Sequence, residues 1–331
     1  MRTIKLLLGS LLLLCSALPL AAQINDAYVI PASANLAGAN NTQWATRFSL
    51  FNPHEYPLSI SVTFVPTGGG TPLEELIDVP ANSTAFADNL LADLFDVGGG
   101  GSLLAVTYPE DNPDVTNNSL ALSFLVNSET YNNAPTGTYG QSIPGVYTGL
   151  FDVDTDSLTA IAHGIRSGGT TGYRTNYGAL NLGGCSVTLF INVFDADGNV
   201  IAQNQPLAIP AMAHAQTSLP VNVDAGTVEF SVDDPCANDD NNYAVVFPYT
   251  STIDSRSGDP AYQSPLLLAS PSQLFGDPSA TSTNAAKANS TSAKSTIKKL
   301  DVAYGRNVRA KSERRGTAHL TRTAKGLQIT K

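Results

Sequence analysis

The chain is short of positive charge over most of its length. Between Gln23 and Ser270 there is no lysine, and the only arginines are Arg47, Arg166, Arg174 and Arg256. Twenty-five Asp and Glu stand against these four, so this body carries a net charge near −21. A field of that sign repels polyanions and excludes nucleic acid as a partner of the body. Cysteine is scarce as well: the whole chain has three, with no Cys-x-x-Cys, and its four histidines are scattered. That distribution argues against a zinc site. After the first twenty-two residues no apolar run is long enough to span a bilayer as a helix. There is no Gly-x-Ser-x-Gly elbow, no phosphate loop ending in Gly-Lys-Ser/Thr and no Gly-x-Gly-x-x-Gly opening a helix. These absences remove the elbow-type hydrolases, phosphate-loop enzymes and dinucleotide-binding enzymes. Paired carboxylates for glycoside hydrolysis stay open, because acids are abundant and nothing singles out a pair.

What is present begins with an export signal. Residues 1–22 have a basic start (Arg2, Lys5), a short apolar run (Leu6 to Leu14) and a small-residue end (Leu20-Ala21-Ala22). This is the pattern of a secretory leader, and it predicts a secreted or cell-surface protein. Cys15 falls inside the leader, behind a leucine too large for a lipoprotein cleavage site. Two cysteines remain after the leader, Cys185 and Cys236, and an oxidising compartment permits a disulfide between them.

The middle of the chain is written twice. Trp44 to Pro53 returns as Tyr173 to Leu182, and Leu58, Ile60, Val62 and Phe64 fall on Val187, Leu189, Ile191 and Val193. A period-2 apolar pattern repeated in phase 129 residues later marks two copies of one β-unit. Each copy has about seven short β segments with turn signals roughly ten residues apart, which is the signature of an immunoglobulin-type sandwich. The expected fold is therefore all-β, with two tandem immunoglobulin-like β-sandwich domains at 23–148 and 149–270. One face of each sheet is expected in a core and the other in water. In the first copy Asp88 can cap a short helix near 88–96, stopped by Gly98 to Gly101. Leu120 to Val126 reads as a strand, and Tyr131 to Val153 as the joint between domains. Leu207 to Pro210 is matched to Asp78 to Ala81.

The tail reverses the charge. Residues 271–331 carry twelve Lys and Arg against three acids. The stretch to about 295 is Ser, Thr, Ala and Asn, too polar to fold, and the leading expectation is a disordered basic tail. Such a tail is suited to an anionic surface or to the body itself.

Few residues suggest chemistry. Asp152, Asp154 and Asp156 alternate in a loop, as ligands of a calcium ion do, although the sixth and twelfth positions (Ser157, His163) break the EF-hand pattern. The alternative is a solvated acidic linker. Asp195 and Asp197 are explained by a hairpin turn with Gly198. His163 and His214 have no partner at any known catalytic spacing. Trp44, Phe48, Tyr173 and Tyr177 occupy matching repeat positions. They read as core and edge residues, with a carbohydrate platform as the alternative.

Several motifs together resemble a group of uncharacterised secreted bacterial proteins with tandem immunoglobulin-like β-sandwich repeats. They are Ile30-Pro31-Ala32, the Trp44 to Pro53 strand, and Thr130-Tyr131 followed by Thr138 to Pro144. The resemblance covers roughly residues 26–265. It implies fold and export, and it brings no catalytic residues. At the other end, Asp301 to Val308 with Gly316 and Gly326-to-Lys331 faintly resembles a type IX secretion sorting domain at 296–331, without the Pro-Asn-Pro opening. The reading that results is a non-catalytic extracellular interaction or adhesion module whose partner is a surface glycan or a protein. An exported hydrolase with its site between the domains is the alternative, and a structural subunit of an extracellular assembly is a third.

Overall fold

The computed structural model describes residues 25–38, 41–134, 137–146, 148–150, 158–169, 172–236, 244–269, 297–299 and 302–331. The leader, the Asp152/Asp154/Asp156 loop and the polar stretch to residue 295 lie outside the described residues.

The chain is all-β, in two units. The first holds β1 (Ala27–Ala37), β2 (Gln43–Asn52), β3 (Leu58–Pro66), β4 (Leu73–Val79), β5 (Ser83–Ala87), β6 (Gly99–Val106), β7 (Leu125–Ala134) and β8 (Gly137–Ser142). The second holds β9 (Thr148–Leu150), β10 (Leu158–Ser167), β11 (Tyr173–Asn181), β12 (Val187–Phe194), β13 (Val200–Ile209), β14 (Ala213–Ser218), β15 (Val223–Asp233), β16 (Val246–Asp254), β17 (Pro260–Gln263) and β18 (Leu266–Ala269). Beyond them come β19 (Ile297–Lys299), the helix α2 (Val302–Arg309), and the hairpin of β20 (Glu313–Thr323) and β21 (Gly326–Thr330).

Both copies fold on the same local clamps. The Asn52 amide donates to the carbonyls of Tyr56 (2.7 Å), Val79 (3.1 Å) and Pro80 (3.2 Å), and its oxygen accepts from the His54 backbone N–H. Asn181 repeats this with Cys185 (2.8 Å), Ile209 (3.4 Å), Pro210 (3.0 Å) and the Gly183 N–H. One side chain thereby satisfies backbone groups that two neighbouring turns leave unpaired. The clamp also corrects the repeat alignment. Val79-Pro80 is equivalent to Ile209-Pro210, one residue from the match expected, and in a strand one residue exchanges the faces. Inside each unit a threonine pair recurs: Thr46 with Thr130 at 3.1 Å and Thr175 with Thr252 at 2.8 Å.

The second unit is two facing sheets, in the orders β13-β12-β15-β10-β18 and β14-β11-β16-β9-β19, with β17 on β16. Ile191, Val193, Val228 and Phe230 of one sheet meet Tyr177, Ala179, Ala215 and Val246 of the other in one core. The Asp195-to-Asn199 turn forms as its residues require, with Gly198 at φ 83°. Cys185 and Cys236 are bonded, with Cα atoms 6.3 Å apart.

The first unit departs from the expected sandwich. Its counterpart sheets, β4-β3-β6-β1 and β5-β2-β7-β8, are joined at one end by β1 pairing with β2. At the other end the C-terminal hairpin fills the gap, β20 running parallel to β4 and β21 parallel to β5. The result is a closed barrel of eight strands, with β7 and β8 extending it as a flap. Its interior is one apolar core from Phe48, Ile60, Ile77 and Leu103 to Ala318 and Ile329 of the hairpin.

The expected disordered tail is thus corrected for residues 302–331. Composition judges a segment alone, whereas this one folds against a surface that supplies what it lacks. Of its apolar side chains, Val308, Ala318 and Ile329 are buried. Its cations meet the acids of the body. The Arg309 guanidinium lies 3.0 Å from Glu74, 2.8 Å from Asp111 and 4.3 Å from the centre of the Tyr108 ring. Arg306 pairs with Glu110, Arg314 with Asp111 and Lys325 with Asp88.

Five smaller expectations also change. The helix α1 (Leu90–Asp93) is a single turn capped by Asn89 rather than Asp88, because the Asn89 oxygen reaches the Ala92 N–H. Gly99 to Gly101 opens β6 instead of ending a helix. Leu120 stands exposed in a turn, and the strand begins at Leu125. Tyr131 to Ser142 belongs to β7 and β8, not to a joint. The sheet β1-β6-β3 is also buried on both faces, against the one-sided expectation. Ala27, Val29, Val65, Leu104 and Val106 point away from the barrel core and pack on Leu180, Leu182, Val245 and Phe247 of the second unit, with Val308 sealing the seam.

Arg309→Ala leaves the 1 % exposed Glu74 carboxylate without its cation and is expected to cost about 3–5 kcal/mol in urea unfolding. Lys325→Ala removes an ion pair whose lysine is 75 % exposed and should cost less than about 1 kcal/mol. Equal effects would contradict a C-terminal segment anchored by the largely buried Arg309.

Candidate functional site

The two units leave a cleft of about 450 Å³ where their seam reaches the surface. A volume of that size lies within the range of ligand pockets. One wall is the β1 segment Ala32 to Leu36 with Trp44, Thr67, Thr130 and Gln141; the other is Arg174, Asn176, His214, Gln216, Ser218, Tyr249 and Ser251. Strand alternation places these side chains. Arg174 and Asn176 project from one face of β11 while Thr175 and Tyr177 point into the core.

The floor is a chain of hydrogen bonds across the seam. Thr67 Oγ1 lies 2.7 Å from His214 Nδ1, His214 Nε2 lies 2.8 Å from the Tyr249 hydroxyl, and that hydroxyl donates to Gln216 Oε1 at 2.6 Å. A single direction satisfies every member: Thr67 donates to Nδ1, Nε2–H donates to Tyr249, and Tyr249 donates to Gln216. This needs a neutral imidazole, and burial pulls the His214 pKa down to about 4. Burial likewise pushes the Tyr249 phenol well above its ordinary value. The Gly68 N–H donates to the His214 carbonyl at 2.8 Å, so backbone and side chain hold the histidine together. Beside the floor, Gln141 and Ser251 join the units at 3.1 Å.

Arg174 is the one ionisable group on the walls besides the locked histidine and tyrosine. Its guanidinium makes no hydrogen bond or ion pair among the described residues, and desolvation lowers its pKa with no carboxylate opposing. Arg174 also lines an adjoining depression of about 250 Å³ with Thr42, Asn132, Asp254, Ser255, Arg256 and Ser257. The Asp254 carboxylate there is turned to its own loop, accepting the Arg256 backbone N–H at 2.8 Å.

No carboxylate lines the larger cleft. The histidine has no lone pair left for a substrate, because Nδ1 is taken by Thr67 and Nε2 carries the proton.

The residues singled out in the sequence are spread widely. Trp44 reaches the cleft, while Phe48 and Tyr177 are core and Tyr173 lies under Arg166. His163 is exposed on β10, away from His214. Cys185 and Cys236 brace the loop after β15, where the buried Asp234 accepts the backbone N–H groups of Cys236 and Ala244. Asp152, Asp154 and Asp156 are not among the described residues, and no group of metal ligands occurs among those that are. No helix among the described residues is long and apolar enough to cross a membrane.

Sequence reasoning missed Arg174, Arg256, Gln141, Asn176 and Gln216. The signal for the arginines was their rarity. Of the four cations in the body, Arg47 and Arg166 form ion pairs with carboxylates, Arg256 lies in the field of Asp254, and Arg174 has no carboxylate beside it among the described residues. A scan against protein-family models finds no match, and neither does a search of curated proteins.

His214 titrates near 6.5 when unfolded and is held near 4 in the fold. The unfolded chain binds the extra proton, so the stability this group contributes is present above pH 6.5 and lost as pH falls. Between pH 7 and pH 5 the loss is expected to be about 2 kcal/mol. Urea unfolding at the two pH values should show it, and His214→Gln should flatten the difference.

Proposed function

We propose that the protein is a secreted, non-catalytic interaction module of tandem immunoglobulin-like units that holds its ligand in the cleft between them. The observation that carries this reading is the composition of the cleft: a mostly apolar lining that includes an indole, with a few amides and hydroxyls, one unpaired guanidinium, no carboxylate and no available base. Such a lining recognises a polar, ring-bearing ligand and offers no route for proton transfer. A surface glycan fits it better than a protein. The walls present Trp44 and side-chain amides in a concave site, whereas a protein partner would call for a flat apolar patch or a free strand edge. Calcium remains confined to the Asp152 loop as a proposal, and equilibrium dialysis of the purified protein tests it.

Secretion rests on the leader. The resemblance of 296–331 to a sorting segment is set against the hairpin's place in the barrel, since removing it would open the β4 and β5 edges. The intact mass of protein recovered outside the cell is expected to include the C-terminal hairpin. A mass ending near residue 270 to 295 would make the tail a processed sorting device.

For binding, a glycan array followed by calorimetry should return a ligand whose affinity falls at least tenfold in Trp44→Ala. Saturable release of sugar or peptide by the purified chain would replace this reading with the hydrolase.

A further inference from the structure

The hydrogen bonds inside the cleft have a direction, and it leaves the walls one-sided. Ser218 Oγ donates to Asn176 Oδ1 at 3.2 Å, Tyr249 donates to Gln216 Oε1 at 2.6 Å, and Ser251 Oγ contacts Gln141 Oε1 at 3.2 Å. Each of these amide oxygens thus already accepts one hydrogen bond from within the protein. The Asn176 and Gln216 side chains and the Arg174 guanidinium also line the space, and their nitrogens are donors. These donors, the guanidinium above all, favour a ligand that brings acceptors.

Charge sharpens the choice. In a body with so few cations, two meet along one continuous surface, Arg174 shared by both depressions and Arg256 in the smaller. Elsewhere the body keeps its arginines on carboxylates. A half-buried guanidinium held without a counterion is a cost to the free protein that an anionic ligand removes. The acidic body repels anions at a distance, but a Debye length of about 8 Å at physiological salt confines that repulsion, and contact distances decide recognition.

We propose that the interdomain cleft selects a carboxylate-bearing saccharide, with Arg174 gripping the carboxylate, Arg256 flanking it and Trp44 covering a sugar ring. This rests on the cleft being the binding site, and deepens that reading by naming the ligand class. A sugar acid is favoured over the carboxyl end of a peptide because the surrounding walls carry amides and hydroxyls suited to sugar hydroxyls.

The test is calorimetry of the full-length protein against paired oligosaccharides: uronate- and sialate-containing members, their methyl esters, and free-carboxylate peptides. The expected result is binding of acid members, at least tenfold weaker binding of the esters, and a matching loss for acids alone in Arg174→Ala. Since Arg174 has no partner to lose, that variant should unfold at the wild-type temperature or above it, which separates lost recognition from lost fold. Arg256→Ala should weaken acids by a smaller factor. Esters and neutral sugars binding as well as acids, with both lost in Trp44→Ala, would overturn the acid preference and leave the cleft standing. Peptides binding better than sugars would overturn the ligand class. No binding by any member, or binding indifferent to both Trp44→Ala and Arg174→Ala, would overturn the cleft as well.

Discussion

A strand at the edge of a sheet carries a row of N–H and C=O groups that must find partners or be kept from finding the wrong ones. Two copies of a two-sheet unit bring several such edges, and the chain treats each differently. The β4 and β5 edges of the first copy are taken by the C-terminal hairpin. The β14 edge meets Thr67 and Gly68 of the sister unit, whose backbone bridges to His214. The counterpart β13 is left outside every ladder but that of β12, and it bears Pro206 and a left-handed Asn204 at φ 49°. A proline and an irregularity blunt pairing there. Most of the departures from simple tandem repetition follow from these solutions.

Charge is arranged to the same end. The division into an acidic body and a basic tail suggests two parts with separate partners, and part of it is spent within the molecule. Glu74, Glu110, Asp111 and Asp88 receive Arg309, Arg306, Arg314 and Lys325. Glu74 is telling: a buried carboxylate on a strand of the first copy has its cation 235 residues downstream. The cations of the tail make the barrel wall tolerable, and the few arginines of the body stand out against that background.

What was legible in the sequence was whatever a strand or turn encodes locally. The period-2 run from Leu58 to Phe64 and its echo from Val187 to Val193 are strands, and Asn52 and Asn181 mark the same turn twice. Less legible was anything decided by a surface elsewhere in the chain. The two-sided burial of β1, β3 and β6 was readable only as continuous apolar runs, which do not say what covers the second face. Ala318 and Ile329 sit in a basic segment with few apolar positions of its own, because the core they complete lies more than two hundred residues upstream. In the cleft, Trp44 drew notice as the lone tryptophan. Arg174 and Gln141 did not, because what sets them apart is a partner absent in one case and across a seam in the other.

The hairpin that closes the barrel also fixes an order of events. The first unit to be synthesised, and the first to emerge from any export channel, lacks two of its eight staves until the last residues of the chain arrive. Until then its core has an open side, and the contacts that shut it are among the most distant in sequence the chain can make, which slows their formation. The first unit therefore stays unfinished through most of synthesis, and becomes a closed object only when the hairpin has been made and has found the β4 and β5 edges.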